Sequence, residues 1–282
     1  MPLFPAADGT RLAYTEVGSG PPLLCVPGGP GRAAAYLEDL GGVAEQRTLV
    51  RLDNRGTGMS EVPDDPSTLR FDRMADDVEA LRNHLGLQQA DVLGHSAGSL
   101  LAQIWASKHP DRVRSLVLVT PVASLQGGTR SDVPQIWASR SDEPWYPDAK
   151  EAADALADAA PAQRQALVRA VRPFLYGRWD ERTQAHAASA DRQSNRRAEE
   201  SFGLGAEQVD VAALERGLRA VHAPVLVVGG ERDGATGVEA VRQVAASFRT
   251  AREAVLPRAG HFPWVDEPEA FADVVGRFLA GL

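Results

Sequence analysis

An α/β fold, a mostly parallel open sheet flanked by helices with a helical insertion over it, is what this 282-residue sequence predicts. Three observations predict it. Short continuous apolar runs recur along the chain and are closed by glycine or proline. Stretches of helical period lie between them. One long segment, 123–215, breaks that rhythm and carries helix formers without any strand-like run. Strands alternating with helices imply a sheet covered by helices on both sides.

The strand-like runs fall at 23–26, 48–52, 90–93, 116–119, 225–228 and 254–256. They are short, rich in Val and Leu, and continuous rather than alternating, which is the pattern of strands buried on both faces of a parallel sheet. Between them, 71–85 places Met74, Val78, Leu81 and Leu85 near a spacing of 3.6 and ends at Gly86, a helix stop. The segment 271–279 repeats this after Pro268. In the insertion, 149–160 and 162–171 are rich in Ala, Gln, Arg and Leu, all good helix formers. Seven aromatics, Trp137, Trp145, Tyr146, Phe174, Tyr176, Trp179 and Phe202, are spread along it. The division expected is a core of 1–122 and 216–282 with 123–215 lying over it.

Composition narrows the function. The net charge is −8, from 38 acidic and 30 basic residues, so no nucleic-acid surface is expected. No apolar run approaches the roughly 18 residues that span a bilayer. The N-terminal stretch lacks the basic and apolar regions of a signal peptide, and a cytoplasmic location is expected. The single cysteine, Cys25, allows no intramolecular disulfide and reads as a small buried hydrophobe. No phosphate-loop, zinc-protease or EF-hand spacing occurs, so neither metal nor cofactor is expected.

The chemistry concentrates at Gly94-His95-Ser96-Ala97-Gly98, which follows the apolar run ending at Leu93 and precedes a helical stretch. Gly-x-Ser-x-Gly at a strand-to-helix junction is a nucleophile elbow. The turn is so tight that only small residues fit two positions either side of the serine. Its hydroxyl then stands clear of the sheet above a helix N-terminus, which favours developing negative charge. A serine needs a base. Of six histidines, His95 lies inside the elbow and should point away from Ser96. His84 and His109 sit at helix ends, His186 is in the insertion, and His222 precedes a strand. His261, in the loop after the last run, is the candidate base. Asp233, after the run 225–228, is the candidate acid that fixes its tautomer, with Glu231 the nearest rival. For the oxyanion, the donors expected are the N–H groups of Ala97 and Gly29, with Gly28 as the alternative, from the loop Pro27-Gly28-Gly29-Pro30-Gly31. The Asp and Arg of 53–60 read as a scaffold bracing these loops.

Taken together, 27–31, 53–60, 94–98, Asp233 and His261 resemble the α/β-hydrolase superfamily over nearly the whole chain. Gly-Gly-Pro-Gly followed by Asp-x-Arg-Gly-x-Gly is similar to the proline iminopeptidase branch of serine peptidases. Two positions depart from that branch: Pro27 stands where a histidine is usual, and the elbow reads Gly-His-Ser-Ala-Gly rather than Gly-Gly-Ser-Trp-Gly. The resemblance implies a helical cap after the sixth strand, matching 123–215, and no cofactor. It also implies that cap carboxylates hold the substrate's amino group, and Glu199 and Glu200 are available for this. Gly28, Trp145, Glu199 and Glu200 are therefore the candidate substrate contacts. The expected activity is cleavage of an amide or ester of a small molecule or short peptide through an acyl-enzyme, with an aminopeptidase leaning. An esterase, thioesterase or lactonase is the alternative, and a ligand-binding receptor with little turnover is the alternative of another class.

Overall fold

A computed structural model describes residues 1–123, 125, 127–128 and 131–281. Positions 124, 126, 129 and 130 of the expected insertion, and the last residue of the expected core, lie outside the described residues.

The centre of the molecule is an eight-stranded sheet. Its strands are β1 (Leu3–Pro5), β2 (Arg11–Val17), β3 (Pro22–Val26), β4 (Thr48–Asp53), β5 (Ala90–His95), β6 (Val113–Val119), β7 (Val225–Gly230) and β8 (Ala251–Leu256). They lie in the order β1-β2-β4-β3-β5-β6-β7-β8. The first two are antiparallel to their neighbours and the rest run parallel.

The register explains the continuous apolar runs. Leu24 sits between Val50 and Val92, Val92 pairs Leu116, and Leu116 pairs Val225, so one row crosses the sheet. All five belong to the core on one face. Alternate residues Leu23, Leu49, Leu93, Val117 and Leu226 belong to the core on the other. Side chains alternate along a strand, so apolar residues in both sets mean that neither face meets water.

Helices α1 (Phe71–His84), α2 (Ala97–Lys108), α8 (Val211–Arg219) and α9 (Glu239–Ala246) cover the first face. In α1 the expected Met74, Val78 and Leu81 are buried together with Phe71, while Leu85 caps the helix and is half-buried, and Gly86 follows at φ +67°. In α2 every residue from Ala97 to Ala106 is buried, as a helix apolar on all sides requires. Short turns after β3, together with α10 (Pro263–Asp266) and α11 (Pro268–Ala280), cover the second face through Tyr36, Leu37, Trp264, Phe271 and Val275.

Between β6 and β7 the chain forms α3 (Val133–Ala138), α4 (Tyr146–Ala155), α5 (Pro161–Ala170), α6 (Glu181–Gln193) and α7 (Arg196–Phe202), followed by α8. Helix α8 runs through the expected boundary at 215 and buries Leu214 and Leu218 in the sheet core. The helices before it touch loops at the carboxyl ends of the strands. Trp137 Nε1 donates to the carbonyl of Gly234 (2.8 Å), and Arg32 Nε donates to Gln193 Oε1 (2.9 Å).

Two expectations about strands need correction. The run 254–256 belongs to an edge strand, not one buried on both faces: Val255 is 38% exposed, and Arg252 and Glu253 also face solvent. Its sequence is apolar only near the end because a single neighbour covers it. β1 and β2 were not expected at all. β1 alternates as an edge strand does, whereas β2 lies between β1 and β4 and buries Leu12, Ala13 and Tyr14 together, followed by the polar Thr15 and Glu16.

Candidate active site

Ser96 occupies the turn between β5 and α2 at φ +53°, ψ −122°, a conformation rare for a residue with a side chain. The flanking glycines explain how the turn closes. A Cβ on Gly98 would lie 2.2 Å from the carbonyl oxygen of Val26, and one on Gly94 would lie 2.6 Å from that of Gly98. The Ser96 N–H donates across to Val119 of β6 (3.0 Å), and its carbonyl accepts from Ser99 Oγ (2.6 Å). Backbone strain of this kind costs about 1–3 kcal/mol and persists only where surrounding structure enforces it.

His261 lies in the loop between β8 and α10, with Nε2 2.9 Å from Ser96 Oγ. Its Nδ1 is 3.0 and 3.1 Å from the two carboxylate oxygens of Asp233. Asp233 is wholly buried after β7 and also accepts from Ala235 N (2.8 Å), Thr236 N (3.2 Å) and Thr236 Oγ1 (2.7 Å). Burial pushes its carboxyl upward, but His261 and these donors outweigh that and hold it below the usual carboxylate range. An ionised carboxylate only accepts, so Nδ1 carries the proton and Nε2 turns its lone pair toward the serine hydroxyl. Glu231 is exposed, and its backbone, not its carboxylate, is bonded into β8 through Leu256. The structure thus brings together Ser96, His261 and Asp233, and leaves Glu231 outside.

The loop after β3 lies against the elbow. A Cβ on Gly28 would be 2.6 Å from the carbonyl oxygen of His95 and 2.8 Å from Ser96 Cβ. The Gly28 N–H donates to Tyr36 Oη (2.7 Å) and is therefore already engaged. The N–H of Gly29 makes no hydrogen bond among the described residues, and Ala97 opens α2, where the first amides lack helical partners. Neither of these two amides is engaged among the described residues.

His95 turns under the elbow, as expected. Its Nδ1 meets Tyr36 Oη (2.7 Å) and its Nε2 meets the carbonyl of His261 (2.8 Å). Burial, then the nearby His261, holds its pKa well below the ordinary value. Cys25 is fully buried in the sheet. The 53–60 loop is a brace: Asp53 accepts from Ala34 N (2.8 Å) and Met59 N (3.0 Å), and Asn54 Nδ2 donates to the carbonyl of Pro27 (3.0 Å). Arg55 pairs with Asp77 (2.5 Å) and Asp8 (2.7 Å).

The remaining candidates lie farther out. Trp145 is half-buried, its ring against Phe174 (5.1 Å), Tyr146 and the Arg140 guanidinium (4.7 Å). Glu199 and Glu200 are exposed on α7, and Glu200 pairs with Arg196 (2.6 Å). Both line a cleft of about 630 Å³ with Arg164, Arg172 and Asp191. Helix α7 packs on the loop after β3, since a Cβ on Gly31 would lie 2.8 Å from the backbone nitrogen of Glu199, but Ser96, Asp233 and His261 do not line the cleft. Among the described residues no group of three or more His, Cys, Asp or Glu is arranged to hold a metal ion, and no helix is long and apolar enough to cross a membrane.

Sequence reasoning missed Tyr36, Thr236, Thr120 and Ser99. None stands in a recognisable spacing; each reaches the site only through tertiary packing.

A family model described as alpha/beta hydrolase fold matches residues 21–268. The proline iminopeptidase of Heyndrickxia coagulans is 25% identical over 275 residues, 94% of this chain and 93% of that protein. That of Lactobacillus helveticus is 37% identical over 108 residues, which spans 37% of each chain. Among solved structures, an esterase from Exiguobacterium antarcticum superimposes with a TM-score of 0.73 at 20% identity, covering 99% of this chain and 98% of that one. An enol-lactonase from Burkholderia xenovorans gives 0.72 at 24% identity, covering 99% and 100%. At those identities the two structures speak for the fold alone. The family match covers most of the chain, so this protein belongs to the α/β-hydrolase family, and it is a hydrolytic enzyme that resembles the proline iminopeptidase branch.

Proposed function

We propose that the chain is a serine hydrolase that cleaves an amide or ester bond of a small substrate through an acyl-enzyme, and that it leans to proline iminopeptidase-like removal of an N-terminal residue. The observation that carries this reading is the continuous line from Asp233 through His261 to Ser96, at 3.0 and 2.9 Å, under a serine held at positive φ. Ser96 Oγ attacks the carbonyl carbon while its proton passes to His261 Nε2. Asp233 holds the imidazole and balances its positive charge. The N–H groups of Ala97 and Gly29 receive the oxyanion. The bond to the leaving group then breaks and His261 returns the proton to it. Water repeats the sequence on the acyl-serine and restores the hydroxyl.

The peptidase leaning is supported by the near full-length similarity to the Heyndrickxia coagulans enzyme. In this reading the helices α3 to α7 form a cap that selects substrate, with Glu199 facing the substrate's amino group. One observation favours an esterase instead: Glu200 is already neutralised by Arg196, which leaves a single free carboxylate for an ammonium. A fluorophosphonate probe is expected to label Ser96 rapidly, and turnover of prolyl nitroanilide is expected to exceed that of nitrophenyl acetate in kcat/KM. A protein that takes no label at Ser96 would remove the serine-hydrolase reading. Labelling with turnover of esters only would leave the esterase.

A further inference from the structure

Tyr36 plays no part in the proton transfers just described, yet its hydroxyl bonds the loop after β3 and the residue before Ser96, and through His95 it reaches the loop of His261. It is 1% exposed. Its Oη accepts from the Gly28 N–H (2.7 Å) and lies 2.7 Å from His95 Nδ1. His95 Nε2 lies 2.8 Å from the carbonyl of His261, which also accepts from Thr120 Oγ1 (3.1 Å). A carbonyl can only accept, so the His95 proton is on Nε2 and Nδ1 is the acceptor. The Tyr36 O–H is therefore the donor to Nδ1, and its lone pair is free for Gly28. The direction of every proton along Gly28 N–H, Tyr36 O–H and His95 Nε2–H is fixed.

That chain joins the oxyanion loop, the residue before the nucleophile, and the backbone of the base. Tyr36 itself is clamped from the far side. The Arg32 guanidinium lies 4.3 Å above its ring, and His186 Nε2 lies 3.0 Å from its carbonyl. Arg32 is in turn held by Gln193 and Ser189 of α6.

We propose that Tyr36 is a positioning residue for the oxyanion hole: by taking the Gly28 N–H into a buried hydrogen bond, it sets the orientation of the following peptide and presents the Gly29 N–H to the oxyanion. The proposal rests on the reading of Ser96 as nucleophile. Its physical content is that the loop 27–31 is glycine-rich and has many accessible conformations, and one strong buried anchor selects among them. Without the hydroxyl, the Gly28 N–H has no partner in an apolar surround and turns to find one. The neighbouring donor then moves, and an oxyanion donor out of place loses most of its worth.

Tyr36→Phe keeps the ring and removes only the hydroxyl. A thionoester matched to the best oxygen ester separates positioning from general damage. Sulfur is a weak hydrogen-bond acceptor, so turnover of the thionoester depends little on the oxyanion donors. Tyr36→Phe is expected to lower kcat on the oxygen ester about 10- to 100-fold with KM nearly unchanged. It should lower thionoester turnover much less, so that the oxygen-to-sulfur ratio shrinks at least several-fold. An unchanged ratio in a protein with a wild-type melting transition would overturn the proposal, because plain structural damage slows both substrates alike. If Tyr36→Phe does not fold, a fluorotyrosine placed at position 36 decides by the same ratio: it keeps the ring and the O–H donor to His95 but weakens the oxygen that accepts from the Gly28 N–H. Ser96→Ala, run beside them, is expected to turn over neither ester. Activity there would strike the assignment of the nucleophile, a failure separate from that of Tyr36.

Discussion

At the scale of single residues, the site is a set of groups whose environments force their protonation. Asp233 is sealed from water yet ionised, because four donors on three residues converge on its two oxygens. Asn at this position would offer His261 an amide donor in place of an acceptor, and the ring would settle in the wrong tautomer. Asp233→Asn is expected to fold and to lose about 10⁴-fold in kcat, measured on the best ester substrate. Ser96→Ala should lose at least as much. The same carboxylate carries a stability term. Its folded pKa is lowered, so its contribution is complete above the unfolded value near 3.8 and is lost as pH falls through the lower folded value. Urea midpoints taken from about pH 5 downward should therefore fall more steeply for the wild type than for Asp233→Asn. Equal slopes would mean that the donors around Asp233 do not favour its charged form. The three reacting side chains were legible in the sequence because each follows a strand in a short, recognisable turn. Tyr36 was not: its partners stand 8 and 59 positions away, and only packing unites them.

At the scale of elements, loops at the carboxyl ends of the strands are tied down by buried carboxylates. Asp266 of α10 accepts from Gly260 N (2.8 Å), next to His261, and from Gly177 N (2.9 Å), in the segment between α5 and α6. Burial raises its pKa to about 6, against the pull of these donors. A carboxyl whose folded pKa is raised adds stability that is complete below the unfolded value and is lost as pH rises through the folded one. Asp266→Asn keeps an acceptor and removes the buried charge. Relative to wild type, it is expected to gain stability between about pH 4 and pH 7, read as a rising difference in urea midpoint. A difference independent of pH would show that Asp266 stays charged throughout. The elements themselves divide by how much water they meet. β3, β5, β6 and β7 are buried on both faces and announce themselves as apolar runs. β1 and β8 lie at the sheet's edges, where polar residues interrupt the pattern, and the same physics that places them there hides β1 and the first half of β8 in the sequence. The expected boundary at 215 falls inside α8, and only the burial of Leu214 and Leu218 shows which layer that helix joins.

At the scale of the whole molecule, the helices between β6 and β7 meet a site built from the sheet. They are fastened to all three loops that carry the site. Arg32 and the Asn195–Gly31 bond (2.8 Å) hold the oxyanion loop, Trp137 holds the loop of Asp233, and the carbonyl of Leu175 accepts from His261 N (2.7 Å). Under the proposed function, substrate choice would belong to side chains on these helices, while the reacting groups stay fixed on the sheet. Within the cleft, Asp191 is taken by Arg172 (2.6 Å) and Glu200 by Arg196, so under the proposed peptidase function Glu199 is the carboxylate that would meet a substrate ammonium. Its exposure limits what it can contribute: a charge pair in water is worth at most about 1 kcal/mol, roughly five-fold in affinity. Glu199→Gln is expected to raise KM about five-fold for free-amine substrates such as prolyl nitroanilide, and to leave N-blocked esters unchanged. The effect should shrink as salt rises, since an exposed pair is screened. Glu200→Gln should change neither substrate, because Arg196 already occupies it. Equal kinetics on both substrate classes for both variants would mean that no amino anchor operates on α7, and selection would then rest on the apolar fit of the acyl group, as an esterase requires.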